Sequence, residues 1–292
     1  MRVEVNGVRL FFDIEGAKFV REGSELREKP TLVLLHGGGT DHSTFKPLFS
    51  QLTDIAQVVY LDLRGHGRSE SGPPSSWNLA QWGDDVAAFC DTLGIETPIV
   101  LGESFGGCVA QSYGGRHPRH PGKLILLCTC PSSARYREHS LAVFERRGGP
   151  EARAAAAAIF ERTSPESDAA YARYCLPLYA RGSRFGLRTQ TFPPERFAAV
   201  VRSQEAASAW NAWNAGESRE VDLAPGLSAI ECPTLIVSGD EDPVCPIEGA
   251  EEIATTIRPG LARLERLAGF SHNVYDDDNP VTMRLIREFV VS

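Results

Sequence analysis

The chain has 292 residues, 42% of them hydrophobic, and a formal net charge of −8 at pH 7. This length and apolar content allow a large buried core, organised as one enlarged domain or as two. The excess of acidic side chains argues against nucleic acid or an anionic membrane as the main partner, because both are negatively charged.

The location of the protein is predicted from its apolar segments and its cysteines. No apolar run approaches the length of a bilayer span, and the N-terminus, which begins Met1-Arg2-Val3, lacks the apolar core of a signal peptide. The seven cysteines are odd in number and lie mostly in apolar segments. Buried free thiols in a reducing cytoplasm are therefore favoured over disulfides or metal ligands.

The first elements are predicted to be strands. Two short apolar runs flank Asn6-Gly7, the dipeptide preferred in a type I′ turn, so residues 3–12 are expected to form a β-hairpin. The charged stretch 18–29 has no periodicity and is interpreted as a solvated loop. Residues 31–35 form a continuous apolar run, typical of a strand covered on both faces, and lead into His-Gly-Gly-Gly at 36–39.

Strand and helix signals then alternate along the chain. An apolar strand at 58–61 precedes a glycine-containing turn at 62–69, whose spacing fits neither a phosphate loop nor a dinucleotide fingerprint, so a structural role is favoured. Apolar residues recur at helical spacing over 79–93, and a further buried strand is predicted at 123–128. This alternation predicts an α/β fold, a parallel sheet with helices on both faces.

Between those elements, Ser104 stands at the centre of Gly-Glu-Ser-Phe-Gly at residues 102–106. An apolar strand at 97–101 precedes it and helical spacing follows, so the serine is predicted to lie on a sharp strand-to-helix turn. Such a turn is strained, and Gly102 and Gly106 are expected there because side chains would collide with the opposing backbone. Ser104 is the predicted nucleophile, and an ordinary glycine turn is the alternative.

The glycines at 37–39 allow two interpretations, a flexible turn or a loop whose backbone N–H groups approach a ligand. With Ser104 further along the chain, the second is favoured, as half of an oxyanion hole. The predicted donors are the N–H groups of Gly38 and Phe105, the latter at the positive end of the following helix. His36 is expected to orient the loop rather than to carry a proton.

The alternation stops at Pro131, and residues 131–225 contain no clear strand but an alanine-rich helix at 151–161. We therefore predict a core formed by residues 1–130 and 226–292, with residues 131–225 inserted as a helical cap over the strand ends. Most aromatic residues of the insertion are expected to form its own small core, and two or three to contact substrate. They are Tyr171, Tyr174, Tyr179, Phe185, Phe192, Phe197, Trp210 and Trp213.

After the insertion, a strand at 234–238 leads to Asp242, and a later strand leads to His272, the only histidine after His139. A serine nucleophile needs a base within hydrogen-bond reach and an acid that fixes the tautomer of that base. The carboxyl ends of parallel strands converge on one crevice, so we predict His272 as the base and Asp242 as the acid. Asp240 is the rival acid.

The order Ser104, Asp242, His272 is that of the α/β-hydrolases, and nearly the whole chain resembles this superfamily. The resemblance rests on the loop 36–39, on Arg-Gly-His-Gly-Arg-Ser at 64–69, on the turn 102–106 and on the acid loop 239–242. It implies a mainly parallel, eight-stranded sheet with a helical cap, and catalysis without metal or organic cofactor. In one departure, Phe270 and Ser271 separate His272 from Gly269, whereas the base usually follows a glycine directly.

These residues predict a serine hydrolase that acts on a small carboxylic ester or amide by two-step acyl transfer. The motifs are similar to those of capped esterases and of proline iminopeptidases, whose loop typically reads His-Gly-Gly-Pro-Gly; Gly39 replaces that proline. An iminopeptidase is the second hypothesis, with Glu195, Glu205 or Glu217 as candidate ligands of a substrate amine. A carbon–carbon bond hydrolase and a non-catalytic ligand-binding scaffold follow. The expected partner is a small ester, amide or short peptide, not nucleic acid or a membrane.

Overall fold

The computed structural model describes residues 1–161, 164–179, 209, 212–213, 216–275 and 280–292. The strands in these ranges are β1 (Arg2–Val5), β2 (Val8–Glu15), β3 (Phe19–Glu22), β4 (Glu25–Glu28), β5 (Thr31–Leu35), β6 (Gln57–Leu61), β7 (Ile99–Glu103), β8 (Lys123–Leu127), β9 (Thr234–Gly239) and β10 (Ala262–Leu267). The α-helices are α1 (Lys46–Phe49), α2 (Leu79–Thr92), α3 (Phe105–Arg116), α4 (Arg137–Glu161), α5 (Pro165–Tyr174), α6 (Ala224–Leu227), α7 (Ile247–Thr256) and α8 (Pro280–Val291).

Eight strands form one sheet in the order β1-β2-β6-β5-β7-β8-β9-β10. The strands from β6 to β10 in this order run parallel, whereas β1 and β2 are antiparallel to their neighbours. The predicted mainly parallel, eight-stranded sheet is therefore confirmed. Because the parallel strands share one direction, the loops that follow β5, β7 and β9 leave the sheet at the same edge.

Helices cover both faces of this sheet, as predicted. Along β5, Val33 and Leu35 point to one face and Leu32 and Leu34 to the other, and all four are fully buried. The first face packs against α2, α3 and α7, and the second against α1 and α8. A strand buried on both sides can carry an unbroken apolar sequence, which explains the continuous run at 31–35.

The N-terminal region contains two β-hairpins, of which only one was predicted. Asn6 and Gly7 have φ of 46° and 77° and join β1 to β2, as the type I′ signal indicates. The interpretation of residues 18–29 as a loop is wrong, because β3 and β4 pair there as a separate two-stranded sheet. Residues of both strands are mostly exposed, so no burial pattern marks them in the sequence.

The turn at 62–69 is structural, as predicted, and is held by a buried ion pair with α2. Arg64 Nε donates to Asp85 Oδ2 at 2.7 Å, and Nη2 donates to Oδ1 at 2.8 Å. Both side chains are only 2% exposed. Asp62 accepts hydrogen bonds from the backbone N–H groups of His42 and Arg68, so the loops after β5 and β6 are fixed together.

Replacing Arg64 by methionine is expected to destabilise the fold by about 3–5 kcal/mol, because it leaves the buried Asp85 carboxylate without its counter-ion. The matched control is Arg116→Met, which removes an equally direct pair with Asp84 whose side chains are 47% and 34% exposed. That variant should cost no more than about 1 kcal/mol. Urea unfolding of both variants measures the difference, and equal losses would contradict this account of the turn.

Helices α4 and α5 lie within the predicted insertion, and the alanine-rich helix is confirmed as the second half of α4. The helix is interrupted where Gly149 has φ of 78° and Pro150 follows. Leu141, Phe144, Ala152 and Cys175 belong to a separate apolar cluster, as expected of a cap with its own core. Phe185, Phe192, Glu195, Phe197, Glu205 and Trp210 lie outside the described residues.

The two ends of the predicted insertion lie close together. The Leu223 N–H donates to the Pro131 carbonyl at 2.9 Å. The domain boundaries themselves stay a prediction. All seven cysteines are free and buried. Among the described helices, none combines the length and the apolar character that a membrane crossing requires.

Candidate active site

Ser104 lies on a strained turn between β7 and α3. Its φ and ψ are 53° and −115°, a conformation that residues with a side chain rarely adopt. A Cβ on Gly102 would lie 2.1 Å from the Gly106 carbonyl oxygen, and one on Gly106 would lie 2.1 Å from the Leu35 carbonyl oxygen. Glycine is therefore required at both positions, as predicted, and the start of α3 packs directly against the end of β5.

Replacing Gly106 by alanine is expected to cost about 3 kcal/mol or more, because its Cβ meets rigid backbone rather than a side chain that can move. The control is Gly226→Ala, since a Cβ at Gly226 meets nothing within 4 Å. Chemical denaturation of the two variants tests the prediction. Similar stabilities would mean that the close approach of β5 and α3 does not exist in solution.

The structure brings the side chains of Ser104, Asp242 and His272 together. His272 Nε2 lies 3.0 Å from Ser104 Oγ, and its Nδ1 lies 2.8 Å from Asp242 Oδ2 and 3.1 Å from Oδ1. His272 and Asp242 are 3% and 1% exposed. A carboxylate on Nδ1 keeps the proton there, so Nε2 is left with the lone pair that a serine hydroxyl needs.

Asp242 is held in place by its own loop. Its Oδ1 accepts the backbone N–H groups of Val244 at 2.7 Å and Cys245 at 2.9 Å. The rival acid, Asp240, does not reach His272, since its Oδ1 accepts the Gly269 N–H at 2.6 Å. Asp240 therefore connects the loop after β9 to the loop after β10.

The two residues that separate Gly269 from His272 have structural partners. The Phe270 carbonyl accepts the Glu241 N–H at 2.9 Å, and a Cβ on Gly239 would lie 2.2 Å from that carbonyl oxygen. The Ser271 hydroxyl donates to the Leu178 carbonyl at 2.6 Å. Phe270 and Ser271 therefore join the loops after β9 and β10 to Leu178 of the predicted cap, and still leave His272 beside Ser104.

Two residues of the predicted cap, at 131–225, also contact the loop that carries His272. The Tyr179 ring meets the His272 imidazole edge-on, with ring centroids 5.0 Å apart, and the Asn273 N–H donates to the Tyr179 carbonyl. Arg147 Nη1 donates to the Glu241 carbonyl and to Ser271 Oγ, both at 2.6 Å. Tyr179 was predicted only as one aromatic residue among many, and Arg147 carried no sequence signal.

The predicted oxyanion donors lie on the two elements that meet at the Ser104 turn. Phe105 is the first residue of α3, and Gly38 is half-buried in the loop after β5. His36 orients that loop: its Nε2 accepts the Leu63 N–H, so its Nδ1–H donates to the Gly37 carbonyl. Burial lowers the pKa of His36, which favours the neutral ring and agrees with its predicted role in orienting the loop.

Glu103 is a residue of the site that the motif analysis passed over. It ends β7, directly before Ser104, and its Oε1 lies 3.9 Å from His272 Nε2. Its side chain is 8% exposed. A carboxylate at the end of a fully buried apolar strand is a signal visible in the sequence, because such groups are seldom buried without a specific partner.

The pKa of His272 is raised above its ordinary value by its neighbours. Burial acts to lower it, but the charge and hydrogen bond of Asp242 raise it, and the Glu103 carboxylate adds to that effect. The base is therefore expected to lose activity on acidification at a higher pH than an unperturbed histidine does.

Two groups of described residues bring potential metal-ligand atoms within 4.8 Å, namely Cys128 with Asp242 and His272, and Asp41 with His42 and Asp62. In these groups, both oxygens of Asp242 and both oxygens of Asp62 already accept hydrogen bonds within the protein. We therefore assign both groups to hydrogen bonding, and neither to a metal.

The family follows from comparison with known proteins. A family model for the alpha/beta hydrolase fold matches residues 30–279. The chain belongs to the α/β-hydrolase fold family. This α/β-hydrolase is 28% identical to proline iminopeptidase PfmaB of Pestalotiopsis fici, over 98% of the chain and 97% of the relative. The family and its relatives identify it as an enzyme, a hydrolase.

Solved structures agree with this α/β-hydrolase over its whole length. A thermophilic esterase from Thermogutta terrifontis superimposes with a TM-score of 0.71 at 25% identity, over 100% of this chain and 98% of the esterase. The meta-cleavage product hydrolase CumD of Pseudomonas fluorescens gives a TM-score of 0.75 at 18% identity, over 99% of this chain and 96% of the other. At that identity the second likeness shows the fold alone.

Proposed function

We propose that this α/β-hydrolase is a serine hydrolase that cleaves a small carboxylic ester or amide through an acyl-enzyme intermediate. The observation that carries the proposal is the line of contacts from Asp242 to His272 to Ser104, with distances of 2.8 and 3.0 Å. A hydroxyl beside an oriented imidazole is activated as a nucleophile, because the imidazole accepts its proton during attack.

In the first half of the reaction, Ser104 Oγ attacks the substrate carbonyl carbon and its proton passes to His272 Nε2. The resulting imidazolium lies beside the Asp242 carboxylate, which stabilises the cation. The N–H groups of Gly38 and Phe105 bind the negative oxygen of the tetrahedral intermediate, each being worth about a hundred- to a thousandfold in rate. His272 then protonates the leaving group.

In the second half, water replaces the leaving group. His272 Nε2 takes a proton from this water as the water attacks the acyl carbon, and returns the proton to Ser104 Oγ when the acid leaves. The buried position of His272 supports this cycle, since a base shielded from bulk water keeps its proton transfers within the site. No metal or organic cofactor takes part in the proposed reaction.

Proline iminopeptidase is the second candidate function, favoured by the relative of that name, which aligns over 98% of the chain. The esterase from Thermogutta terrifontis supports the first candidate. Glu217, one candidate ligand of a substrate amine, instead accepts the Leu79 N–H at the start of α2. That contact and the absence of the proline at Gly39 support the ester or amide hydrolase; a carbon–carbon bond hydrolase ranks below both.

Two parallel substrate series test this order. Wild-type protein is assayed with p-nitrophenyl esters of increasing chain length and with aminoacyl anilides that include proline, and Ser104→Ala is the blank. Fast ester hydrolysis without anilide cleavage supports the first candidate. Selective cleavage of the prolyl anilide overturns it in favour of the second. The proposed working environment is a reducing cytoplasm with a small-molecule substrate, in keeping with seven free, buried thiols.

A further inference from the structure

The side chain of Glu103 points at the reacting nitrogen of the base rather than at solvent. Its Oε1 lies 3.9 Å from His272 Nε2, the atom that lies 3.0 Å from Ser104 Oγ. Its Oε2 occupies the space that a side chain on Gly37 would fill, since a Cβ there would lie 2.4 Å from this oxygen. The carboxylate is thus enclosed between the loop after β5 and the imidazole.

We propose that Glu103 is a positioning residue of the catalytic base, a second carboxylate whose charge favours the imidazolium form of His272 from the side opposite Asp242. The inference rests on the proposed serine hydrolase function, in which His272 becomes a cation in each half of the reaction. Asp242 Oδ2 lies 2.8 Å from Nδ1 of the ring and Glu103 Oε1 lies 3.9 Å from Nε2, so a negative group lies near each ring nitrogen.

The distance decides how Glu103 acts. At 3.9 Å, Oε1 lies beyond hydrogen-bond reach of Nε2, which leaves the Nε2 lone pair free to accept the proton of Ser104 Oγ. A charge at this distance still interacts strongly with the ring, because the site is buried and salt screens it weakly. Glu103 therefore makes the base stronger without competing for the proton that the base must transfer.

Among the described residues, the neighbours of His272 other than Asp242 and Glu103 do not supply negative charge. The titratable or hydroxyl-bearing neighbours include Ser104, Cys128, Cys130, Tyr179, Asp242 and Glu103. The hydroxyl of the adjacent Ser271 donates to the Leu178 carbonyl. Burial raises the pKa of the Cys128 thiol and of the Tyr179 phenol, so both stay neutral. The two carboxylates are the negative groups of this set, and both raise the pKa of His272.

The test is the pH dependence of phosphonylation, which reports the base without requiring the natural substrate. A neutral alkyl fluorophosphonate reacts with Ser104: the new O–P bond forms, the P–F bond breaks, fluoride leaves, and the hydroxyl proton passes to His272. The reaction needs His272 in its neutral form, so the rate falls on the acid side as the imidazole becomes protonated. The midpoint of this fall is measured for wild-type protein and for Glu103→Gln.

In Glu103→Gln, the midpoint is expected to move to lower pH by about one unit, because removing a nearby negative charge makes the imidazolium less stable. The rate on the plateau is expected to fall about three- to tenfold, since a weaker base accepts the serine proton less readily. A side chain that only fills space would lower the rate equally at every pH. A lower plateau with an unmoved midpoint therefore overturns the proposal.

Two further variants make the result decisive. Glu103→Asp keeps a carboxylate on a shorter side chain, so its midpoint moves in the same direction by less; an unmoved midpoint there overturns the proposal even when Glu103→Gln does not fold. Glu15→Gln is the control, because Glu15 lies on β2 opposite Val58, near the start of β6 and so at the end of the strands away from the site. The midpoint of this variant should equal that of the wild type. Wild-type protein that does not react at all defeats the proposed function itself, which is a separate outcome.

Discussion

Replacing Ser104 by alanine is expected to lower turnover about a millionfold, the loss typical of removing the nucleophile from such a catalytic group. The structure gives the physical reason, since Ser104 Oγ is the hydroxyl within 3.0 Å of His272 Nε2. Alanine tolerates the positive φ of this position no worse than serine does, so the fold should persist. Steady-state hydrolysis of the best p-nitrophenyl ester measures the effect.

The control for this variant is Ser112→Ala, on α3, the helix that follows Ser104. The Ser112 hydroxyl donates to the Leu79 carbonyl at 2.8 Å and has no part in the site. Its loss should cost about 1 kcal/mol of stability and leave turnover unchanged. Residual activity of Ser104→Ala above about one per cent, with unfolding behaviour like that of the wild type, would remove Ser104 from its assigned role.

Asp242→Asn is expected to lower turnover about ten thousandfold, because it stabilises the wrong tautomer of His272. Asp242 Oδ1 accepts two backbone N–H groups, from Val244 and Cys245, so the carbonyl oxygen of the amide must take that position. The NH2 group then faces Nδ1 and donates to it. The ring proton moves to Nε2, which can no longer accept the proton of Ser104.

Asp240→Asn is the control that distinguishes the two candidate acids, Asp240 and Asp242. The carbonyl oxygen of asparagine can still accept the Gly269 N–H, so turnover is expected to stay within about threefold of wild type. Turnover of both variants is compared on one ester substrate. A larger loss in Asp240→Asn than in Asp242→Asn would reverse the assignment of the acid.

Much of the sheet could be predicted because its signals are local. The strand at 31–35 is apolar from Leu32 to Leu35 because both of its faces are buried, and Asn6-Gly7 encodes its own turn. The hairpin of β3 and β4 was missed for the converse reason. Its residues are mostly exposed, so backbone pairing leaves no trace in the pattern of polar and apolar side chains.

The candidate site, too, could be predicted from the sequence only in part. Gly102 and Gly106 could be predicted because the turn at Ser104 excludes side chains at fixed distances along the chain. The contacts of Tyr179 and Arg147 with the loop of His272 join residues about a hundred positions apart, and no local pattern encodes them. Glu103 was visible in the motif, but its approach to His272 depends on the register of the sheet.

The central claim is that Ser104 is an activated nucleophile, and the most direct test is the site of phosphonylation. Wild-type protein and Ser104→Ala are treated with an alkyl fluorophosphonate. The mass of each intact protein is measured by mass spectrometry, and the proteins are then digested to locate the adduct. The structure predicts one adduct per chain, on Ser104, and none in the variant. An unmodified wild-type protein, or an adduct of equal yield in Ser104→Ala, would contradict the account of the site.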